Sequence, residues 1–251
     1  MRVRGRTAIV TGSGSGIGEG IVKMLSQEGA SVCVTDVSGE DVNRVVDMIR
    51  THGGVAIGVQ ADVSQADDVA TLCQHVLAEF GRIDILVNNA SITAEEIAVN
   101  EMSEEAWDRV VNANLKSQFL CCCAVAGIMK KQQHGRIVNI ASRNWLGRPG
   151  LANDAASKGG IVSLTRTLAM ELGRHGITVN CVSPAPGADI GSPKQLRALA
   201  ERVKALPIPR LATPADIAYA VLCFAADEAG YITGQHFYVG GGDHLATSGT
   251  L

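Results

Sequence analysis

Thr11-Gly12-Ser13-Gly14-Ser15-Gly16-Ile17-Gly18 is a glycine-rich turn that follows an apolar run and opens a helical one. Such a turn offers backbone N–H groups and a helix N-terminus to a phosphate. Gly12 permits the tight turn, Gly16 lets backbone approach a pyrophosphate, and Gly18 allows close helix–sheet packing, with Ser15 and Ile17 between them. Asp36 ends the next apolar run, about 20 residues on, where a dinucleotide-binding fingerprint places an acid for ribose hydroxyls. An acid there repels a 2′-phosphate, and Ser13, Val37 and Ser38 offer no compensating cation, so NAD(H) is expected over NADP(H). Asp62-Val63 is placed to read an adenine edge, and Asn89-Ala90 to line the same cleft, Asn89 equally by fastening backbone. Further on, Asp154 and Lys158 stand one helical turn apart on one face, an arrangement that favours an ion pair.

These groups need a scaffold. Nearly continuous apolar runs at Thr7–Thr11, Ser31–Thr35, Val55–Gln60, Ile83–Val87, Arg136–Ala141, Thr178–Val182 and Phe237–Val239 read as strands covered on both faces. Helical periods fill Gly16–Glu28, Gly39–His52, Gln65–Phe80, Glu104–Lys131, Asn153–Arg174 and Pro214–Ala226. Gly29, Gly53, Gly81, Gly135 and Gly176 stand just beyond helix ends as left-handed caps. The alternation predicts an α/β fold, one doubly wound domain over 1–251 with a parallel sheet of about seven strands and helices on both faces. Ligands on such a sheet bind beyond the carboxyl ends of the strands. Residues 184–213, proline-rich around a short helical Lys194–Ala205, read as a substrate-side lid.

Composition narrows the function classes. With 251 residues, 46% hydrophobic, 19% charged and a net charge of −3, the chain has no basic field for nucleic acid or an anionic membrane. No apolar run reaches the ~20 residues of a membrane span. The seven Cys lack ligand spacing, so no metal is expected, and reduced thiols point to the cytoplasm.

Taken together, Thr11–Gly18, Asp36, Asp62-Val63, Asn88-Asn89-Ala90, Asn114, Ser142, Ala155–Lys158 and Asn180-Cys181-Val182 resemble the short-chain dehydrogenase/reductase family, from about Arg6 to Gly242. The resemblance implies a nicotinamide-dependent oxidoreductase with a catalytic Asn, Ser, Tyr and Lys. It maps Asn114 (with Asn112 close by as a rival), Ser142 and Lys158 onto three of these, Lys158 also holding the nicotinamide ribose. The position of the tyrosine is Asp154, and an ionised carboxylate only accepts hydrogen bonds. Tyr219, Tyr231 and Tyr238, all in the C-terminal quarter, are not placed to replace it. A second departure follows the sixth strand. Ala185 stands where the family has Gly, unless Pro186-Gly187 serves, and Asp189 or Gly191 falls near the place of a nicotinamide-contacting Thr. Arg143 and Trp145, beside Ser142, fall where the family borders substrate; Arg143 suits a carboxylate or CoA phosphate, or is a plain loop arginine.

The resemblance also implies an oligomer, helices Glu104–Lys131 and Asn153–Arg174 pairing across a two-fold axis with the same chain or an active paralogue. The expectation is an NAD-binding, catalytically impaired subunit of an alcohol or 3-hydroxyacyl-type dehydrogenase, with CoA thioesters of aromatic degradation as one substrate class. Two alternatives stay open: an active dehydrogenase or ketone reductase with a modified proton donor, and an NAD-binding scaffold. An engineered origin of Asp154 is a further possibility.

Overall fold

The computed structural model describes residues 1–184, 203–204 and 206–243. Seven strands form one sheet, β1 (Thr7–Thr11), β2 (Ser31–Asp36), β3 (Val55–Gln60), β4 (Ile85–Asn88), β5 (Gly135–Ile140), β6 (Ile177–Pro184) and β7 (His236–Val239). All pairings are parallel, in the order β3-β2-β1-β4-β5-β6-β7. The order reverses between β1 and β4, opening a crevice at their carboxyl ends.

Alternate residues of each strand feed two cores. Ala8, Val10, Val32 and Val34 face α1 (Gly16–Gln27), α2 (Gly39–Thr51) and, beyond them, α7 (Pro214–Ala225). Ile9, Cys33, Leu86 and Ile137 face α3 (Ala66–Phe80), α5 (Ser117–Gln132) and the end of α6 (Ala152–Leu172). Four thiols, Cys33, Cys73, Cys121 and Cys122, belong to this second core. Burial pushes Cys33 and Cys122 up to about 12 and Cys73 to about 11, so they behave as small apolar side chains. Among the described residues no three His, Cys, Asp or Glu cluster for a metal, and no helix is long and apolar enough to cross a membrane.

Two expectations are corrected. The long helix over Glu104–Lys131 is two, α4 (Glu104–Val111) and α5, joined by a π-helical turn at Asn112–Lys116. Such bulges recur at functional sites because they re-aim one side chain without ending the helix. Gly135 is not a helix cap but the first residue of β5; the left-handed position after α5 is Gln133, at φ 52°. The side chain of Gln133 eases this by donating to the Lys130 carbonyl at 2.8 Å. The loop at Ala185–Gly191 and the Lys194–Ala205 stretch of the expected lid lie outside the described residues, apart from Val203 and Lys204.

A buried polar chain sets the strand ends that carry the site. Asn88 Nδ2 donates to Asn139 Oδ1 at 2.8 Å, and Asn139 Nδ2 to Thr165 Oγ1 at 2.9 Å. This fastens β4, β5 and α6 to one another where water cannot compete.

Candidate active site and cofactor cleft

The Gly12–Gly18 turn is compressed against the end of β4. A Cβ on Gly12, whose φ is +61°, would stand 2.8 Å from Ala90 Cα; one on Gly18 would stand 2.1 Å from the Gly12 carbonyl oxygen. Asn89 fastens the turn. Its Nδ2 donates to the Thr11 and Gly12 carbonyls at 3.0 and 2.9 Å, while Thr11 Oγ1 accepts the Asn89 and Ala90 N–H groups. Ser15 caps α1 without a side-chain hydrogen bond. Asp36 Oδ2 accepts the Gly14 N–H at 3.0 Å and its Oδ1 the Ser38 N–H at 3.4 Å.

These elements enclose a cleft of about 290 Å³. Gly12, Ser15, Ile17, Gly18, Asp36, Asp62, Val63, Asn89 and Ala90 line it, joined by Val37, Ser64 and Ile92; Gly16 and Lys158 do not. The cradle fits a dinucleotide's adenosine and phosphate end: glycines where a Cβ would clash, an open helix N-terminus, and carboxylates at the far wall. Asp62 is kept ionised by hydrogen bonds from the side chain and backbone of Ser64, which hold it below the usual carboxylate range. Asn89 lines the cleft while its amide nitrogen is committed to backbone.

Beyond this cleft the predicted catalytic residues converge. The π-helical turn buries Asn114 completely, whereas Asn112 is exposed. Asn114 Oδ1 accepts the Ile92 N–H at 2.8 Å, and its Nδ2 donates to the Ile92 carbonyl at 3.2 Å and to Asp154 Oδ1 at 3.1 Å. Asn144 Nδ2 donates to Asp154 Oδ2 at 2.7 Å. Both oxygens of Asp154, which is 5% exposed, are therefore hydrogen-bond acceptors. Ser142 caps a three-ten turn at Arg143–Leu146, its Oγ accepting the Asn144 N–H at 3.1 Å. Lys158 is buried one turn along α6. The expected Asp154–Lys158 ion pair is corrected: among the described residues the carboxylate is held by two amides instead. A short side chain near the start of α6 meets the adjoining loop and the π turn, which stand closer than the next turn of its own helix.

The two residues expected on the substrate side have partners within the chain. Arg143 Nη1 pairs with the buried Asp243 at 2.6 Å, so its charge is already matched within the chain. Trp145 packs on Ala141, Ile161, Val162 and Cys181 and meets His236 edge-on at 5.1 Å. Tyr219 and Tyr231 are exposed; Tyr238 lies in β7 opposite Ser183, its phenol pushed above the ordinary range by burial.

Sequence reasoning missed Asn144, Asn153, Asp243 and Arg44. Asn153 Oδ1 accepts the Asp154 N–H and its Nδ2 donates to the Ala106 carbonyl, docking α6 on α4. Only Asn144 carried a signal, since Ser-x-Asn suits a capped turn.

His236 supplies a pH prediction. Its Nε2 lies 2.7 Å from Ser183 Oγ, and burial first, then Arg166, lowers its pKa below 6.5. The folded state thus holds this ring neutral more firmly than the unfolded chain does. Stability is full above 6.5 and falls as pH drops below it toward the folded value. His134, lowered by burial and by Arg136, acts with the same sign. Urea midpoints measured on both sides of that pH should fall on the acid side, and His236→Gln should flatten part of the slope. An unchanged slope would remove His236 from the account.

Comparison with known proteins agrees with this geometry. A family model described as enoyl-(acyl carrier protein) reductase matches residues 12–244. The chain is 42% identical, over 98% of its length and 99% of the relative's, to the (2S)-[(R)-hydroxy(phenyl)methyl]succinyl-CoA dehydrogenase subunit BbsD of Thauera aromatica. It is 38% identical to the 3-oxoacyl-[acyl-carrier-protein] reductase FabG of Staphylococcus epidermidis, over 96% of this chain and 99% of that one. The crystal structure of levodione reductase superposes with a TM-score of 0.91 at 31% identity, covering 98% of this chain and 100% of that one. The chain belongs to the short-chain dehydrogenase/reductase family of NAD(P)-binding oxidoreductases.

Proposed function

We propose that this chain binds NAD(H) and serves as the catalytically silent subunit of a heteromeric dehydrogenase. When bound, the nicotinamide accepts or returns a hydride; Asp36 takes the ribose hydroxyls and disfavours a 2′-phosphate. The observation that carries the reading is the state of Asp154. Its two oxygens accept from Asn114 and Asn144 at the place where the family has a phenol, and so are committed within the chain rather than presented to a substrate hydroxyl. Asn114 and Asn144 are drawn to this anion rather than left for substrate or relay water. The likeness to BbsD, a subunit of a dehydrogenase by its name, supports a related, tyrosine-bearing chain as partner and a hydroxyacyl-CoA as the substrate class. Phe119 on α5 and Met170 on α6 stand exposed, as apolar contacts of an oligomer would in an isolated protomer.

The purified chain alone, given NAD and a 3-hydroxyacyl-CoA, should form no NADH yet bind NAD in equilibrium dialysis. Co-expressed with a related chain bearing Tyr four residues before its Lys, it should elute as a mixed oligomer that turns over. Turnover by the isolated chain at the rate of an active relative would end this reading.

A further inference from the structure

The acids and bases around Gly14 assign a role that the sequence conceals. Arg44 lies in the second turn of α2, and its Nη2 donates to the Gly14 carbonyl at 2.5 Å, to Glu19 Oε2 at 2.9 Å and to Asp41 Oδ1 at 3.5 Å. The N–H of that same Gly14 goes to Asp36 Oδ2 at 3.0 Å. A Cβ added at Gly14 would stand 2.8 Å from Asp41 Cβ and 3.0 Å from Asp36 Oδ2, so three charged side chains converge on one glycine, through the two peptide groups it joins. Every hydrogen bond of the Arg44 guanidinium uses Nη2; Nε and Nη1, with three N–H donors, have no partner among the described residues. The side chain is 49% exposed.

Charge decides what this cluster accepts. Glu19 is shared with Lys23 at 2.5 Å, giving Asp36, Asp41 and Glu19 against Arg44 and Lys23. One negative charge is left over, and Asp36 is the acid without a basic partner among the described ion pairs. We propose that Arg44 is a specificity-determining residue for the cofactor's adenosine 2′ position, a phosphate-binding cation kept latent by the excess charge of Asp36. The inference rests on reading the Gly12–Asp36 cleft as an adenosine site. With Asp36 present, a 2′-hydroxyl is taken and a 2′-phosphate meets net negative charge. With Asp36 made neutral, the Gly14 N–H is released and the balance is even. The fork of Arg44, which reaches the same glycine as Asp36, then offers the planar donor geometry that suits such an anion.

Two probes isolate the 2′ group, adenosine 5′-monophosphate and adenosine 2′,5′-bisphosphate, titrated calorimetrically into the full chain. Asp36→Ser should raise the preference for the bisphosphate by about tenfold or more, the scale of a charge-assisted hydrogen bond. Adding Arg44→Gln should return the preference to its starting value while the monophosphate still binds. Asp41→Asn in the Asp36→Ser background should release the guanidinium and raise the preference further. That gain is independent of any damage Arg44→Gln does to the fold. The proposal is overturned if Asp36→Ser and Asp36→Ser/Arg44→Gln share one preference while both bind the monophosphate. If the wild-type chain binds neither nucleotide, the adenosine site itself is wrong and the role of Arg44 goes with it.

Discussion

Asp154→Tyr in the isolated chain is expected to raise NAD-dependent oxidation of a hydroxyacyl-CoA by about 10²–10⁴-fold, the contribution of one positioned general acid/base. Asn114 contacts the position, Ser142 caps the turn whose Asn144 contacts it, and Lys158 is buried one turn along the same helix face. Asp154 is held through its two oxygens only, so its loss leaves Asn114 with Ile92 as partner and frees the Asn144 amide toward the loop. In this oxidation the substituted tyrosine, as phenolate, would take the proton released by the substrate hydroxyl. NADH absorbance in single-substrate assays measures the gain, and NAD titration of the same protein separates chemistry from binding. No gain in a folded variant that still binds NAD would move the cause of silence away from Asp154.

Gly18→Ala should cost stability and nucleotide binding together. The added methyl would stand 2.1 Å from the Gly12 carbonyl oxygen and 2.6 Å from Asn89 Nδ2, so α1 or the turn must move. Neither partner is the free end of a flexible side chain. Gly12 is backbone, and Asn89 is fixed by its bonds to the Thr11 and Gly12 carbonyls. Overpacking of this kind costs about 1–3 kcal/mol, and the upper end is expected where backbone is the obstacle. Urea denaturation gives the loss, and NAD affinity should fall by at least the order of ten because the phosphate-facing turn is displaced. Wild-type stability with wild-type affinity would show that helix and turn are not packed as described.

The architecture was legible because apolar runs and helical periods alternate almost without interruption; inner strands such as Ile85–Asn88 have both faces buried, whereas the edge strands Val55–Gln60 and His236–Val239, expected to be covered on both faces, are not. The cofactor turn was legible for a different reason: glycine spacing, a following helix and Asp36 report steric and hydrogen-bonding needs that few other residues meet. The catalytic corner was only half legible. Asn114, Ser142, Asp154 and Lys158 could be placed by spacing, but their partners could not. Asn144 reaches Asp154 across a loop, Arg143 turns to Asp243 a hundred positions away, and Arg44 arrives over the glycine turn from a neighbouring helix. Helical spacing aligned Asp154 with Lys158, yet tertiary donors outside the helix took the carboxylate. The break of the long helix at Asn112–Lys116 was hidden too, because a π turn inserts no glycine or proline.

The order of strands bears on how the polypeptide is made. β1 finds β2 early, Thr7 pairing with Ser31, but its other neighbour is β4, Ala8 pairing with Ile85. While the intervening segment leaves the ribosome, one flank of a wholly buried, apolar strand has open N–H and C=O groups and no cover. Nascent chains are at greatest risk of mispairing in that interval, and the arrival of residues 85–88 closes it.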